Sequence, residues 1–269
     1  MFSIRVFPRV IFVALWLCAP ALFAQSPMLP PKEKFHLFLL VGQSNMAGRG
    51  VVTPADQAPL PRILMLNKAG EWVPAIDPMH FDKPVAGVGL GRSFAAVIAA
   101  ANPGVTIGLI PCAVGGSPID TWKPGVLYKE TNSYPWDDTM RRAKLALEAG
   151  TFKGILWHQG ESDTNTPELA RAYAPKLRDV VERLRAELKA PNVPFVLGQL
   201  GRFEGRPWNE SQILVDQAHR DLPKLVGHAA FVSAEGLKDK GDKIHFDADS
   251  YRELGRRYAE AFLKLERAP

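Results

Sequence analysis

The chain has 269 residues, of which 46% are hydrophobic and 23% charged, and this balance excludes a disordered chain, a fibrous repeat and a multi-span membrane protein. Its two cysteines, Cys18 and Cys112, are too few for a disulfide-stabilised scaffold. The formal net charge is +5, but Lys and Arg are scattered among Asp and Glu, so no basic patch predicts a nucleic-acid partner.

The first 24 residues have the layout of a secretory signal peptide. Arg5 and Arg9 give a positive start, and the apolar run that follows is too short to span a membrane comfortably. A buried N-terminal helix is the alternative. We expect a secreted or periplasmic protein that has no membrane contact after cleavage. The predicted organisation is a signal peptide over 1–24, a polar lead-in over 25–34 and one domain over 35–266.

Short apolar runs predict the strands of a buried sheet. The first run, Phe35 to Val41, is nearly continuous and ends at Gly42, which is typical of a central strand that is apolar on both faces. Comparable runs follow along the chain at 63–66, 105–110, 154–157, 195–200 and 229–232.

Helical patterns lie between these runs. The clearest spans Pro167 to Leu188, with apolar residues at helical spacing, Thr166 as a plausible N-cap and Pro175 as an expected kink. Strands that are apolar on both faces and alternate with helices predict an α/β fold, in which helices cover both faces of a parallel sheet. The other helical patterns cover 94–99, 139–148, 209–220 and 250–265.

Residues directly after the predicted strands are the candidates for chemistry, because functional loops gather at the carboxyl ends of the strands in such sheets. Ser44 follows the first strand between Gly42 and Gly48. There its hydroxyl can act as a nucleophile while backbone N–H groups form an oxyanion hole. A turn serine that caps a helix fits the spacing equally well.

Three later segments carry polar or glycine-rich patterns. The paired glycines within 111–117 allow the backbone to approach a ligand closely, or form a tight turn. The polar cluster 158–163 directly follows an apolar run, which favours a site lining over a solvated loop. Asp242 and His245 are three residues apart, so the carboxylate can hold Nδ1 and leave Nε2 free as a base. An early serine and a late Asp-x-x-His together fit acyl transfer.

Four of these segments resemble the motif blocks of the sialate O-acetylesterase and acetyl xylan esterase family, a branch of the SGNH (GDSL-like) hydrolases. The resemblance covers residues 37 to about 262, and the blocks occur in the order of the family. The matching segments are Gly-Gln-Ser-Asn-Met-Ala-Gly at 42–48, the glycine block 111–117, Trp-His-Gln-Gly-Glu-Ser-Asp at 157–163, and Asp-Lys-Ile-His-Phe at 242–246.

The resemblance implies a three-layer α/β/α, flavodoxin-like SGNH hydrolase fold. It implies a serine esterase that acts through an acyl-enzyme, with Ser44 as the nucleophile, His245 as the general base and Asp242 as the residue that orients the base. The expected partner is an acetylated carbohydrate: acetylated xylan, sialic acid or a related glycan.

The resemblance also implies an oxyanion hole made of the Ser44 amide, a glycine amide and one side chain. We place the glycine at Gly116 and the side chain at Gln159. Gly115 and Glu161 are the alternatives, because the wider superfamily has Asn where this chain offers Gln.

Substrate binding is predicted for Gln43, Asn45, Glu161 and Trp122. Trp122 suits stacking on a sugar face, although packing in the core is an equally good interpretation. The His residues are dispersed without metal-ligand spacing, so we expect neither a metal nor another cofactor. Two alternative functions stay open: a non-catalytic carbohydrate-binding protein on the same scaffold, and a short-chain lipolytic esterase.

Overall fold

The computed structural model describes residues 29–267 and the isolated residue Phe2, so the predicted signal peptide lies outside the described residues apart from Phe2. Seven strands form one sheet in the spatial order β3-β2-β4-β1-β5-β6-β7. All neighbours are parallel except β2 and β3, which are antiparallel. The strands are β1 (Phe35–Gly42), β2 (Ile63–Leu66), β3 (Trp72–Pro74), β4 (Thr106–Pro111), β5 (Thr151–His158), β6 (Phe195–Gly198) and β7 (Ala229–Val232).

Helices cover both faces of this sheet. The helices α2 and α6 pack on one face, and α3, α4 and α5 pack on the other. This arrangement confirms the predicted three-layer α/β fold class. The helices are α1 (Ser44–Ala47), α2 (Gly91–Ala101), α3 (Pro135–Ala149), α4 (Pro167–Glu187), α5 (Glu210–Leu225) and α6 (Ala248–Arg267). Short 3-10 helices occupy Lys32–Lys34, Pro54–Gln57, Ile119–Thr121 and Glu161–Thr164.

The central strand β1 is apolar on both faces because both are covered. Alternate side chains point to opposite sides of a strand, and each set here enters a different core. Leu37 and Leu39 lie in the core under α3, α4 and α5, whereas Phe38 and Leu40 lie in the core under α2 and α6. The near-continuous apolar run in the sequence therefore reflects burial between two helical layers.

Local signals fix the start of α4, the longest helix of the described chain. The Oγ1 of Thr166 accepts a hydrogen bond from the Leu169 amide at 3.3 Å, and Pro167 occupies the first turn, where its missing N–H costs nothing. The helix continues through Pro175 to Glu187.

The order of the strands sets the place of the site. After β1 the chain builds one half of the sheet, with β4 beside β1, and then the other half, with β5 on the opposite side of β1. The carboxyl ends of β1, β4 and β5 therefore open side by side at the point where the strand order reverses, which is where open α/β sheets bind ligands. Among the helices of the described residues, none is long and apolar enough to cross a membrane.

Candidate active site

A close approach between β1 and β5 places the candidate nucleophile. Gly42 ends β1 with a φ of +133°, and a side chain there would collide with the carbonyl oxygen of His158. The next amide, that of Gln43, donates to the same carbonyl at 2.9 Å. Ser44 then starts α1, so its N–H belongs to the first turn and has no partner within the helix.

Ser44, His245 and Asp242 lie in one hydrogen-bonded row. The Nε2 of His245 is 3.0 Å from the Oγ of Ser44, and its Nδ1 is 2.7 Å from the Oδ2 of Asp242. The other carboxylate oxygen of Asp242 accepts the amides of Ile244 at 2.9 Å and His245 at 2.8 Å. The structure thus brings together the three residues that the sequence predicts as nucleophile, base and orienting carboxylate.

The charges of this row suit a general base. Burial alone would raise the pKa of Asp242. Three hydrogen bonds outweigh this effect and lower the pKa to about 2: two come from the amide and the ring of His245, and one comes from the Ile244 amide. Burial also lowers the pKa of His245, against the attraction of Asp242, which raises it. At neutral pH the carboxylate is therefore charged and the imidazole neutral. Nδ1 donates to Asp242, which leaves the Nε2 lone pair facing the serine hydroxyl.

A cavity of about 410 Å³ opens over Ser44 and His245. Its lining is mostly polar or glycine, with contributions from the ends of β1 and β5 and from the loop that follows β4. The aliphatic residues that line it are Val85, Leu200 and Ile244. Such a cavity offers hydrogen-bonding groups beside the hydroxyl, together with a few aliphatic side chains.

The two glycines of the loop after β4 differ in whether their amides are hydrogen-bonded. The Gly115 amide donates to the Oδ2 of Asp82 at 2.8 Å. The Gly116 amide has no acceptor within residues 29–267, and Gly116, with a φ of +84°, lines the cavity. The Ser162 hydroxyl, which also lines the cavity, donates to the Gly116 carbonyl at 2.8 Å and so fixes the loop. Of the two glycines that the sequence leaves open, Gly116 is the one whose N–H is available.

Gln159 does not occupy the position predicted for it. It is fully buried and does not line the cavity. Its Nε2 donates to the Ser117 carbonyl at 3.1 Å and to the Asp163 carboxylate at 2.5 Å, and its Oε1 accepts from the Tyr173 hydroxyl at 2.8 Å. Because every polar atom of the Gln159 side chain is engaged inside the protein, Gln159 has no donor left for an oxyanion.

Asn45, predicted to bind substrate, is also buried, and its side chain is hydrogen-bonded to other residues of the protein. Its Nδ2 donates to the Glu161 carboxylate at 2.5 Å and to the Ile244 carbonyl at 3.0 Å, while its Oδ1 accepts from the Tyr251 hydroxyl at 2.6 Å. Asn45, as placed here, has no exposed surface for a substrate. Asn45 ties the loop that carries His245 to the segment that carries the serine.

Glu161, predicted to bind substrate, lines the cavity, and the Asn45 amide binds one of its oxygens. Burial raises the pKa of this carboxyl, and the hydrogen bond from Asn45 opposes that rise.

Gln43 also lines the cavity. Its Oε1 accepts the amides of Gly160 at 3.2 Å and Ser162 at 3.4 Å, so its NH₂ group is the part that can donate to a ligand.

Trp122 lies in the core instead of at the cavity. It is fully buried, its Nε1 donates to the Ser117 hydroxyl at 3.1 Å, and its ring packs edge-on against Trp157 with centroids 5.2 Å apart. A side chain without exposed surface offers no face to a sugar, so this placement favours the core-packing interpretation of Trp122.

Sequence reasoning missed the buried ion pair between Arg49 and Asp82, whose Nη2 and Oδ2 are 2.8 Å apart beside the cavity. A charged residue directly after Gly48, at the end of the nucleophile motif, was the available signal for Arg49. Asp82 lies in a loop and belongs to no recognisable pattern. No group of three or more His, Cys, Asp and Glu side chains within the described residues is arranged to hold a metal ion.

Comparison with known proteins identifies the family. A model of the SASA family, described as carbohydrate esterase, sialic acid-specific acetylesterase, matches residues 34–264. The chain belongs to this family. The resemblance stated from the motifs is thereby confirmed, and the protein is a member of a family of hydrolases.

Relatives of this SASA-family chain include the probable carbohydrate esterase At4g34215 of Arabidopsis thaliana, which is 31% identical over 260 residues, covering 89% of this chain and 93% of the relative. The crystal structure of that Arabidopsis protein superposes with a TM-score of 0.76 at 30% identity, covering 87% of this chain and 99% of that one. The structure of NanS gives a TM-score of 0.72 at 19% identity, over 89% of this chain and 99% of NanS, and shows the same fold.

Proposed function

We propose that this SASA-family protein is a secreted serine esterase that removes O-acetyl groups from carbohydrates through an acyl-enzyme. The observation that carries the proposal is the row from Asp242 through His245 to Ser44, which ends in a cavity where the Gly116 amide is free. A sugar-binding protein has no need of a serine hydroxyl aligned with an imidazole and a charged carboxylate. The family description and the name of the Arabidopsis relative both refer to carbohydrate esterases.

In the first half of the reaction, the Ser44 hydroxyl attacks the carbonyl carbon of the acetyl group. The Nε2 of His245 takes the hydroxyl proton, and Asp242 stabilises the resulting imidazolium. The amides of Ser44 and Gly116 donate to the oxyanion of the tetrahedral intermediate. When the intermediate collapses, the bond to the sugar oxygen breaks, and His245 returns the proton to that oxygen. The products are the free sugar hydroxyl and acetyl-Ser44.

In the second half, a water molecule replaces the sugar. His245 takes a proton from the water, whose oxygen attacks the acetyl carbon, and the same two amides hold the second oxyanion. Collapse releases acetate and returns the proton from His245 to Ser44. The cycle needs the base to be neutral at its start, as the lowered pKa of His245 provides.

The charges of the cavity do not by themselves select acidic sugars. Four cationic side chains line it, but three are paired: Arg49 with Asp82 at 2.8 Å, Lys83 with Glu130 at 3.2 Å, and Lys243 with Asp239 at 3.3 Å. The fourth is Arg206. Neutral acetylated xylan and acidic acetylated sialic acid are therefore both substrates to test.

Secretion is supported by the signal-peptide pattern of residues 1–24. Expression of the full chain with its leader in a bacterial host tests it. We expect a mature protein shortened near Ala24 outside the cytoplasm, as read by the mass of the N-terminal peptide. A full-length protein retained in the cytoplasm would contradict export.

Acetate release from a panel of acetylated glycans tests the esterase proposal. The wild type should release acetate, whereas Ser44→Ala should fall to the background rate. Ser233→Ala is the matched control, because the Ser233 hydroxyl bonds to Gln199 and does not line the cavity. Saturable sugar binding without acetate release would favour the non-catalytic binder.

A further inference from the structure

Asp82 is a buried carboxylate that joins two walls of the cavity. Its side chain is only 1% exposed, and its Oδ2 accepts two hydrogen bonds at 2.8 Å, one from the Gly115 amide and one from the Nη2 of Arg49. Gly115 belongs to the glycine loop, and Arg49 follows the nucleophile segment. One oxygen atom thus connects the two backbone segments that carry the free amide of Gly116 and the serine.

Arg49 completes this connection on the serine side. Its side chain is 4% exposed, and its Nη1 donates to the Gly48 carbonyl at 2.7 Å, which fixes the guanidinium against the end of the nucleophile motif. A buried ion pair gives little net stability, since the cost of desolvating the charges offsets their attraction. Here the pair fixes the position of the backbone, because Arg49 binds the Gly48 carbonyl and Asp82 binds the Gly115 amide.

The glycine loop fits tightly against this pair. A Cβ atom at Gly115 would overlap the Nη2 of Arg49 and lie 2.7 Å from the Oδ2 of Asp82. The loop therefore rests directly on the ion pair, with no intervening side chain. Because Asp82 occupies the Gly115 amide, the neighbouring Gly116 amide is the one that remains for a ligand.

We propose that Asp82 is a positioning residue for the oxyanion hole: it holds the glycine loop through the Gly115 amide and locks that loop to the serine segment through Arg49. The proposal rests on the esterase function proposed above. Asp82 does not touch the substrate. It acts by keeping the amides of Ser44 and Gly116 at the distance that the oxyanion requires, and oxyanion donors contribute to the transition state far more than to the bound ground state.

The kinetic test compares Asp82→Asn with Asp56→Asn. Asp56 is a matched control, because it is also buried and ion-paired, with Arg252 at 2.7 Å, but Arg252 does not line the cavity, whereas Arg49, the partner of Asp82, does. We expect Asp82→Asn to lower kcat on p-nitrophenyl acetate by roughly 10- to 100-fold with KM changed less than about three-fold, since a misplaced donor costs somewhat less than a missing one. Asp56→Asn should leave kcat within about two-fold of the wild type.

A second variant, Arg49→Lys, tests the same connection in case Asp82→Asn does not fold correctly. Arg49→Lys keeps the charge but loses the two-pronged guanidinium that binds Gly48 and Asp82 together. It should show the same loss of kcat at nearly constant KM. A rise in KM at constant kcat in Asp82→Asn or Arg49→Lys, or an equal loss of kcat in Asp56→Asn, would overturn the positioning role.

Hydrogen–deuterium exchange in the segment 113–117 tests the same proposal without measuring enzyme activity. The Gly115 amide should exchange faster in Asp82→Asn than in the wild type, and Asp56→Asn should not change it. A wild-type protein without esterase activity would overturn the proposed function, and the exchange arm would still decide whether Asp82 holds the loop. Unchanged exchange in Asp82→Asn would overturn the inference even in an active enzyme.

Discussion

The Nε2 of His245 lies 3.0 Å from the Oγ of Ser44, although 201 residues separate the two in the chain. Asn45, the neighbour of the serine, holds the backbone on both sides of the histidine. Its Nδ2 donates to the Ile244 carbonyl at 3.0 Å, and its Oδ1 accepts the Phe246 amide at 3.4 Å. A buried side chain next to the nucleophile thus holds the backbone that carries the base.

The pH dependence of the reaction should report the ionisation of His245. Burial lowers the pKa of this imidazole below its ordinary value of about 6.5. Since only the neutral ring accepts the serine proton, kcat/KM should rise with pH through a pKa below about 6.5 and level off at neutral pH. Asp242 raises the pKa of His245, so in Asp242→Asn the rising limb should move to lower pH. A limb that rises above pH 7 in the wild type would contradict this assignment.

Removing the carboxylate of Asp242 should cost less than removing the serine. We expect Asp242→Asn to lower kcat by roughly two to four orders of magnitude, because the carboxylate orients the base and does not react. Asp249→Asn is the control, since the Asp249 side chain is 94% exposed and pairs with Arg252. Full activity of Asp242→Asn in a steady-state assay would contradict the orienting role of Asp242.

Two nearby carboxylates are poor substitutes for Asp242. Asp239 accepts the amides of Gly241 at 2.7 Å and Lys243 at 3.0 Å, and Asp247 accepts the Ser250 amide at 2.7 Å at the start of α6. Both carboxylates accept hydrogen bonds from backbone amides, and neither is bonded to the imidazole of His245 in the described structure.

Gln159→Ala should act on stability and leave catalysis nearly intact. The substitution leaves the buried partners of the amide unpaired, which costs roughly 2–4 kcal/mol of unfolding free energy. The folded fraction should keep kcat within about three-fold. Gln199→Ala is a matched control, because Gln199 is also buried and its Oε1 accepts the Ala234 amide at 2.9 Å outside the cavity. Urea unfolding and kcat are measured on both; a hundred-fold loss of kcat in Gln159→Ala at unchanged stability would restore it as an oxyanion donor.

The acyl chain that the enzyme accepts should be short. Val85, Leu200 and Ile244 are the aliphatic residues of the cavity lining, and Val85 and Ile244 are exposed. A groove could contribute about 0.8 kcal/mol for each buried CH₂ group, but these three are the aliphatic side chains present to form one. Across p-nitrophenyl esters normalised to their alkaline hydrolysis rates, kcat/KM should fall from acetyl to butyryl and nearly vanish at octanoyl. An optimum at six carbons or more would favour a lipolytic enzyme.

The parts of the fold that follow from periodicity could be predicted from the sequence. The apolar run of β1 and the cap of α4 at Thr166 depend on short segments, and both lie where the pattern places them. The edge strand β3 was missed because Trp72–Pro74 is only three residues long and pairs on one side alone. The residues 1–24, predicted as a signal peptide, lie outside the described residues apart from Phe2.

The site was predictable only where a residue type implies one role. A serine after a strand and an Asp-x-x-His near the end of the chain indicate reacting groups, and the structure brings them together. An amide side chain is ambiguous, since it can face a ligand or bond inward. Asn45 bonds inward to Glu161 and Ile244, more than 100 residues away, and Gln159 bonds inward to Ser117, 42 residues away, as well as to the nearer Asp163 and Tyr173. The distant partners could not be found from a local pattern.

Labelling the active protein with a fluorophosphonate and mapping the adduct by mass spectrometry tests the role of Ser44 most directly. We expect one adduct per chain on the peptide that contains Ser44, and none in Ser44→Ala. Ser162 also lines the cavity and serves as an internal control, because its hydroxyl bonds to the Gly116 carbonyl instead of to the imidazole. An adduct on Ser162 or elsewhere, or no adduct in a preparation that releases acetate, would contradict the assignment of Ser44 as the nucleophile.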